Sequence, residues 1–256
     1  MYKDLFSCNG KVAVVTGGAG LIGREMVKGF FDFGATVYIV DTNEQKAREL
    51  ATDPRIRVLS MDMASEDGVR SAIGSVIDEA GKVDILVNSA YPRTRDWGLK
   101  FEKIPFPSWN TNVTTQLGGT FICCQVVAEA MKERGGGSII NMASTYGVVA
   151  PDFSIYDGTE MTMPAAYSAV KGGIITFTKY LASYYAKHKV RVNAISPGGI
   201  FDNQNPAFVE KYNKKTPLGR MAQPSEMVGG ALFLASEASA YVTGHNLMID
   251  GGWTAW

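Results

Sequence analysis

Tyr167 and Lys171 stand four positions apart in YSAVK, residues 167–171. On a helix that spacing puts both side chains on one face. A free phenol titrates near pH 10 and exchanges its proton poorly at neutrality. A nearby ammonium favours the phenolate and lowers that value, so the pair could pass a proton to or from an alcohol or carbonyl. Ser144, in IINMAST at 139–145, offers a hydroxyl to an oxygen on which charge develops. Ser138 lies before the apolar run and Ser168 on a different helix face, so both are poorer candidates. Tyr-x-x-x-Lys alone occurs in many helices; it gains meaning only beside a site for a redox cofactor.

TGGAGLIG at 16–23 is that candidate site. Gly17, Gly20 and Gly23 recur every third residue where an apolar run passes into a helical one. Glycine allows the tight turn and lets the backbone approach a pyrophosphate, and the helix N-terminus adds N–H donors. A glycine-rich turn without a ligand is the plain alternative, because such a fingerprint is weak by itself. Asp41 closes the second apolar run. A carboxylate there can accept the hydroxyls of an adenosine ribose and repels a 2′-phosphate. Its other possible role is to cap the next helix, which Thr42 and Asn43 can do equally well. No Lys or Arg stands beside Asp41 or at 18–20, and a solvated helix face accounts for Arg24. NAD is therefore expected over NADP.

These residues need a frame. VAVVT (12–16), TVYIV (36–40), RVLS (57–60), DILVN (84–88), SIINM (138–142), RVNAI (191–195) and NLMID (246–250) are short, rich in Val and Ile, and bounded by turn formers. Between them lie segments of helical spacing, such as Val69–Ile73–Val76–Ile77. The alternation predicts an α/β fold: one Rossmann domain over 1–256, a doubly wound parallel sheet of about seven strands flanked by helices. The 25 basic and 25 acidic residues balance, which gives no support to a nucleic-acid partner. No apolar run resembles a signal peptide or a membrane helix. Cys8, Cys123 and Cys124 form neither a disulfide frame nor a metal cluster, so no metal is expected and a reducing cytoplasm is.

In order along the chain, TG at 16–17, Asp62, NSA at 88–90, Ser144, YSAVK at 167–171, PG at 197–198 and DGG at 250–252 resemble the short-chain dehydrogenases/reductases across nearly its whole length. The resemblance implies hydride transfer between a nicotinamide and a hydroxyl or carbonyl carbon. In that scheme Tyr167 handles the proton, Lys171 tunes it and binds the ribose, and Ser144 orients the oxygen. It also implies that Leu21 and Ile22 line the cofactor with the glycines, that Asp62 and Met63 flank the adenine, that Asn88 and Ala90 line the cofactor, and that Pro197, Gly198 and Ile200 hold the nicotinamide side. Many members carry a fourth catalytic Asn, in a backbone-and-water proton relay; Gln116 occupies its position and joins the catalytic set. Two further departures stand out. Leu21 replaces a common glycine, and Tyr167 follows Ser144 by 23 positions, a longer gap than most members show.

The loops at 91–108, 145–163 and 199–222 are expected to carry substrate contacts. YPRTRDWG, MTMPAAY and SPGGIFDNQ within them resemble the flagellin-modification type of short-chain dehydrogenase, of sugar and nonulosonic acid pathways. That likeness implies a sugar or nucleotide-sugar substrate, and a homo-oligomer, tetramer or dimer. Arg93 and Arg95 could bind phosphate or carboxylate, or simply be solvated. Tyr146 and Met163, with Phe153, Tyr156 and Met161, could close over a sugar ring while Asp152, Asp157 and Glu160 accept hydroxyls, or could merely pack the loop. A dehydrogenase for a small polyol or 3-oxoacyl group is the alternative, and a non-catalytic NAD(H)-binding regulator is a second one.

Overall fold

The computed structural model describes residues 2–256. The seven apolar runs are strands: β1 (Val12–Thr16), β2 (Thr36–Asp41), β3 (Ile56–Ser60), β4 (Ile85–Asn88), β5 (Gly137–Met142), β6 (Val190–Pro197) and β7 (Asn246–Ile249). They form one sheet in the order β3-β2-β1-β4-β5-β6-β7, and every pairing is parallel. Successive side chains alternate between two covered faces. Val14, Tyr38, Leu86, Ile139 and Val192 enter one core, with α3 (Glu66–Ala80), α5 (Gly119–Arg134) and α6 (Ala165–Tyr185) above them. Val15, Ile39, Val87, Ile140 and Ile195 enter the other, under α1 (Gly23–Asp32), α2 (Glu44–Leu50) and α8 (Val228–Ala235). Burial on both sides explains why the runs are continuously apolar rather than alternating.

Register brings the strand ends to one edge. Thr16 pairs with Val40 on one side and with Asn88 on the other, Asn88 with Asn141, and Met142 with Ile195. Between β1 and β4 the chain reverses its direction of winding, so the loops that follow these strands diverge and leave a crevice. Helix boundaries follow local chemistry. Asn43 accepts from the Lys46 N–H at the start of α2, and Ser65 from the Gly68 N–H at the start of α3. Gly81 and Gly135, both left-handed, end α3 and α5.

Two expected loops are partly helical. Residues 106–108 belong to α4 (Phe106–Val113), with Pro105 at its N-cap and Pro107 inside its first turn. Residues 199–222 contain α7 (Pro206–Lys215), where the Asn205 side chain caps and Pro206 opens the helix. Proline in a first turn sacrifices no hydrogen bond, because those N–H groups have no partner within the helix. A π-helical turn, Thr114–Gly118, joins α4 to α5. Among the described residues no helix is long and apolar enough to cross a membrane.

Arg191, on β6, fastens the far end of the sheet. Its guanidinium donates to the carbonyls of Leu234 at 2.8 Å and Ser236 at 3.1 Å, and to Ser239 Oγ at 2.8 Å. It thereby caps the C-terminus of α8 with a positive charge. Arg191→Ala is expected to cost about 3 kcal/mol in urea or thermal unfolding, since hydrogen bonds from a charged donor are lost together. A loss within experimental error would show that the α8 terminus is held by its apolar contacts alone.

Candidate active site

At the carboxyl edge of the sheet lies a cleft of about 730 Å³. Its floor begins with the glycine turn after β1. Gly17 has φ +65°, and a Cβ there would stand 2.6 Å from Ala90 Cα. A Cβ on Gly23 would come within 2.1 Å of the Gly17 carbonyl oxygen. The two glycines thus let the turn fold under α1 and lie against the segment after β4. Gly20 donates to the Gly17 carbonyl at 3.0 Å. No side chain caps α1, whose N-cap position is Ile22; the Arg24 and Glu25 N–H groups donate to the Gly20 and Ile22 carbonyls, both at 3.1 Å. Leu21 and Ile22 line the cleft with Gly17, Gly20 and Gly23.

Asp41, at the end of β2, does more than cap. Its Oδ2 accepts from the Ala19 N–H at 3.0 Å and its Oδ1 from the Asn43 N–H at 2.9 Å. One lone pair on each oxygen remains for another donor. Asp41, Thr42, Asp62 and Met63 border this end, and Arg93, on the opposite side of β1, is the sole Lys or Arg in the lining. A backbone turn with no room for side chains, a helix N-terminus without a side-chain cap and a carboxylate with spare acceptor capacity fit a nicotinamide dinucleotide.

The other end holds the reactive groups. Ser144 follows β5 and accepts from the Tyr146 N–H at 3.2 Å. Tyr167 and Lys171, on α6, stand against it as the helical spacing predicts. Lys171 is buried, donates to the Met142 carbonyl at 2.6 Å, and lies 5.6 Å from the ring centroids of both Tyr167 and Tyr91. Burial holds its ammonium down at about 8. The expected lowering of the Tyr167 phenol is not found: desolvation raises it above its ordinary value, opposed by a hydrogen bond with Ser144. At this depth the cost of burying a phenolate dominates.

Other expected residues fall into two groups. Ser144, Tyr146, Met163, Arg93, Ala90, Gly198 and Ile200 line the cleft. Asn88, Pro197, Lys171, Gln116 and Arg95 are not part of its lining. Asn88 is turned beneath the floor, donating to Asn141 Oδ1 at 2.8 Å, and Pro197 is buried at the end of β6. Gln116 donates to the Pro92 carbonyl at 2.8 Å, and Arg95 is exposed. The carboxylates expected to meet sugar hydroxyls also lie elsewhere. Asp152 pairs with Lys215 and caps the next turn, and neither Asp157 nor Glu160 reaches the lining.

Aromatic residues supply the wall instead. Tyr91 meets Tyr167 edge-on at 5.6 Å and Trp97 at 5.7 Å. Tyr212 stacks on Trp253 at 4.2 Å, and both belong to a cluster with Tyr146, Tyr156, Phe208 and Met221. Tyr91, Trp97, Phe208, Tyr212 and Met221 escaped the sequence reading. The available signal was position, since each follows the carboxyl end of a strand.

Comparison with known proteins agrees with this geometry. Residues 17–254 match the family model described as enoyl-(acyl carrier protein) reductase. The chain is 36% identical to D-threitol dehydrogenase of Mycolicibacterium smegmatis, covering 97% of this chain and 95% of that one. It is 32% identical to post-translational flagellin modification protein A of Campylobacter coli, covering 95% and 98%. Among solved structures, a short-chain dehydrogenase from Leptospira borgpetersenii with bound NAD+ superposes with a TM-score of 0.88 at 39% identity, covering 99% and 96%. A gluconate 5-dehydrogenase from Burkholderia cenocepacia in complex with NADP and tartrate gives 0.89 at 31%, over all of both chains. The protein belongs to the short-chain dehydrogenase/reductase family and is an NAD(P)-dependent oxidoreductase acting on CH–OH groups.

The buried Lys171 has a signature in solution. Its folded value, about 8, lies below the ordinary lysine value of 10.5, so between these the unfolded chain binds the extra proton. Stability contributed by this group therefore rises with pH across that window. Relative to Lys171→Met, which has no such proton, the wild-type protein should gain up to about 3 kcal/mol from pH 8 to 10.5. Chemical denaturation of both across that range tests this; parallel curves would mean the ammonium carries no burial penalty.

Proposed function

We propose that the protein is an NAD-preferring dehydrogenase/reductase of a sugar or nucleotide-sugar hydroxyl, acting in glycan biosynthesis of the flagellin-modification kind. The observation that carries the chemical reading is one continuous cleft with Asp41 at one end and Ser144 and Tyr167 at the other. Likeness to the Campylobacter coli protein supports the glycan role. A small polyol is the second reading, favoured by the likeness to D-threitol dehydrogenase.

The nicotinamide, when bound, supplies or accepts the hydride. Tyr167 moves the proton at the substrate oxygen through its hydroxyl, and Ser144 holds that oxygen by a second hydrogen bond. Lys171, fixed by the Met142 carbonyl, keeps a positive charge over the Tyr167 ring and favours the phenolate as the proton leaves. The glycine turn and Asp41 hold the dinucleotide, with Asp62, Met63, Ala90 and Ile200 along its length. Tyr146, whose buried hydroxyl has no hydrogen-bond partner, donates to a substrate oxygen. Met163 packs against the substrate's apolar face, and Arg93, the single cation of the lining, attracts an anionic substituent. Exposed Phe121, Tyr180 and Tyr184 along α5 and α6 support a homo-oligomer packed through these helices, which light scattering can test.

Titration calorimetry should find NAD bound at least about tenfold more tightly than NADP, because the Asp41 carboxylate repels the added phosphate. Asp41→Ala should narrow that ratio. Equal affinities in the wild-type protein would remove the argument for NAD.

Tyr167→Phe deletes one oxygen and keeps the ring. It should lower turnover of the substrate by about 10²–10⁴-fold while leaving NAD affinity within about threefold, as expected for loss of a general acid–base group. A Tyr167→Phe enzyme that retains wild-type turnover would reassign the proton to another group.

A further inference from the structure

Gln116 does not reach the cleft, although its place in the chain is that of a catalytic residue in relatives. What it does instead is visible from its neighbours. Ser108, Asn112 and Gln116 recur every four residues along α4 and the π-helical turn, and each reaches the segment after β4. Ser108 Oγ donates to Asp96 Oδ1 at 2.7 Å. Asn112 Oδ1 accepts from the Thr94 N–H at 3.2 Å, and its Nδ2 donates to Thr94 Oγ1 at 2.8 Å. Gln116 Nε2 donates to the Pro92 carbonyl at 2.8 Å. Helix positions 108, 112 and 116 thus meet loop positions 96, 94 and 92, as two segments running in opposite directions must. The side chains of Asn112 and Gln116 are 2% and 3% exposed, so these bonds do not compete with bulk water.

The ladder decides which way the loop faces. With Pro92, Thr94 and Asp96 tied to the helix, Tyr91, Pro92, Arg93 and Trp97 line the cleft. Tyr91 then abuts Tyr167 and lies under the Lys171 ammonium. The Gln116 amide has no titrating proton, and its orientation is set: reversed, its oxygen would oppose the Pro92 carbonyl. Its Oε1 is buried without a hydrogen-bond partner, while its backbone carbonyl accepts from Thr120 Oγ1 at 2.8 Å.

We propose that Ser108, Asn112 and Gln116 are positioning residues that hold the 91–97 segment as the substrate-facing wall, and that Gln116 serves this purpose in place of a proton relay. This rests on the assignment of the cleft under Proposed function. The ladder sets affinity for the second substrate, through Tyr91, Arg93 and Trp97, and leaves the proton path to Tyr167.

The test compares the full-length wild type with Gln116→Met, close in shape but without a donor, and with Asn112→Ala, both saturated with NAD. Hydrogen–deuterium exchange should show residues 91–97 losing about tenfold in protection, the equivalent of one net hydrogen bond. Protection of β4 and NAD affinity should stay within about twofold, as for independent sites. D-Threitol, glycerol and D-gluconate serve as kinetic probes. For any that the wild type oxidises, KM should rise about tenfold with kcat within about threefold, the pattern of lost binding rather than lost chemistry. A fall in kcat with unchanged KM and intact loop protection would overturn the proposal and restore a relay. Unchanged protection in both variants would overturn it too. If none of the probes is turned over, the small-polyol reading fails, and exchange alone decides whether the ladder holds the loop.

Discussion

Seven strands paired only in parallel have no face to leave to water, because each return to the starting edge of the sheet carries a helix across it. The Val and Ile runs, the two cores and the placement of every loop follow from that constraint. All seven strands point the same way, so the segments that leave β1 to β6 emerge on one edge, and polar residues excluded from both faces collect there. Residues from 17 to 221 therefore line one cleft without any local signal that they are neighbours.

Within that edge, close backbone approach and buried polar contacts act together. Gly17 and Gly23 bring the first turn against Ala90, and the segment beyond Ala90 is held by α4 through Asn112 and Gln116. Beneath, Asn88, Asn141 and Thr178 form a hydrogen-bonded chain under the floor, with Asn88 Oδ1 left without a partner. Such a chain stabilises one arrangement of the strand ends, since each member left unpaired would carry a desolvation cost.

The strands were legible in the sequence because two-sided burial writes itself as uninterrupted apolar runs. Tyr167, Lys171 and Ser144 were legible because a helical repeat and a strand end determine their neighbours. The helices that begin at Phe106 and Pro206 were not, since proline reads as a breaker until its place in a first turn is known. The direction of Gln116 was hidden by the π-helical turn, which shifts the phase of every later side chain. Arg93 and Arg95 looked equivalent, yet only Arg93 lines the cleft, and Arg95 is exposed outside it. Asp152 was drawn away by Lys215, more than sixty positions along the chain, and a Tyr–Lys spacing says nothing of the burial that raises the phenol.

On the proposed assignment of Asp41 to the adenosine ribose, cofactor choice is coupled to the integrity of the turn beside it. Its two oxygens accept from Ala19 and Asn43, so a residue placed there must keep accepting from two backbone N–H groups whatever it does about a phosphate. Alanine or arginine removes the acceptor outright and leaves those donors to solvent. Serine, threonine and asparagine drop the charge while keeping an oxygen within a similar reach. Mutational routes from one dinucleotide to the other are thereby narrowed: the first viable step is a neutral acceptor at 41, and a cation enters afterwards from a different strand or helix.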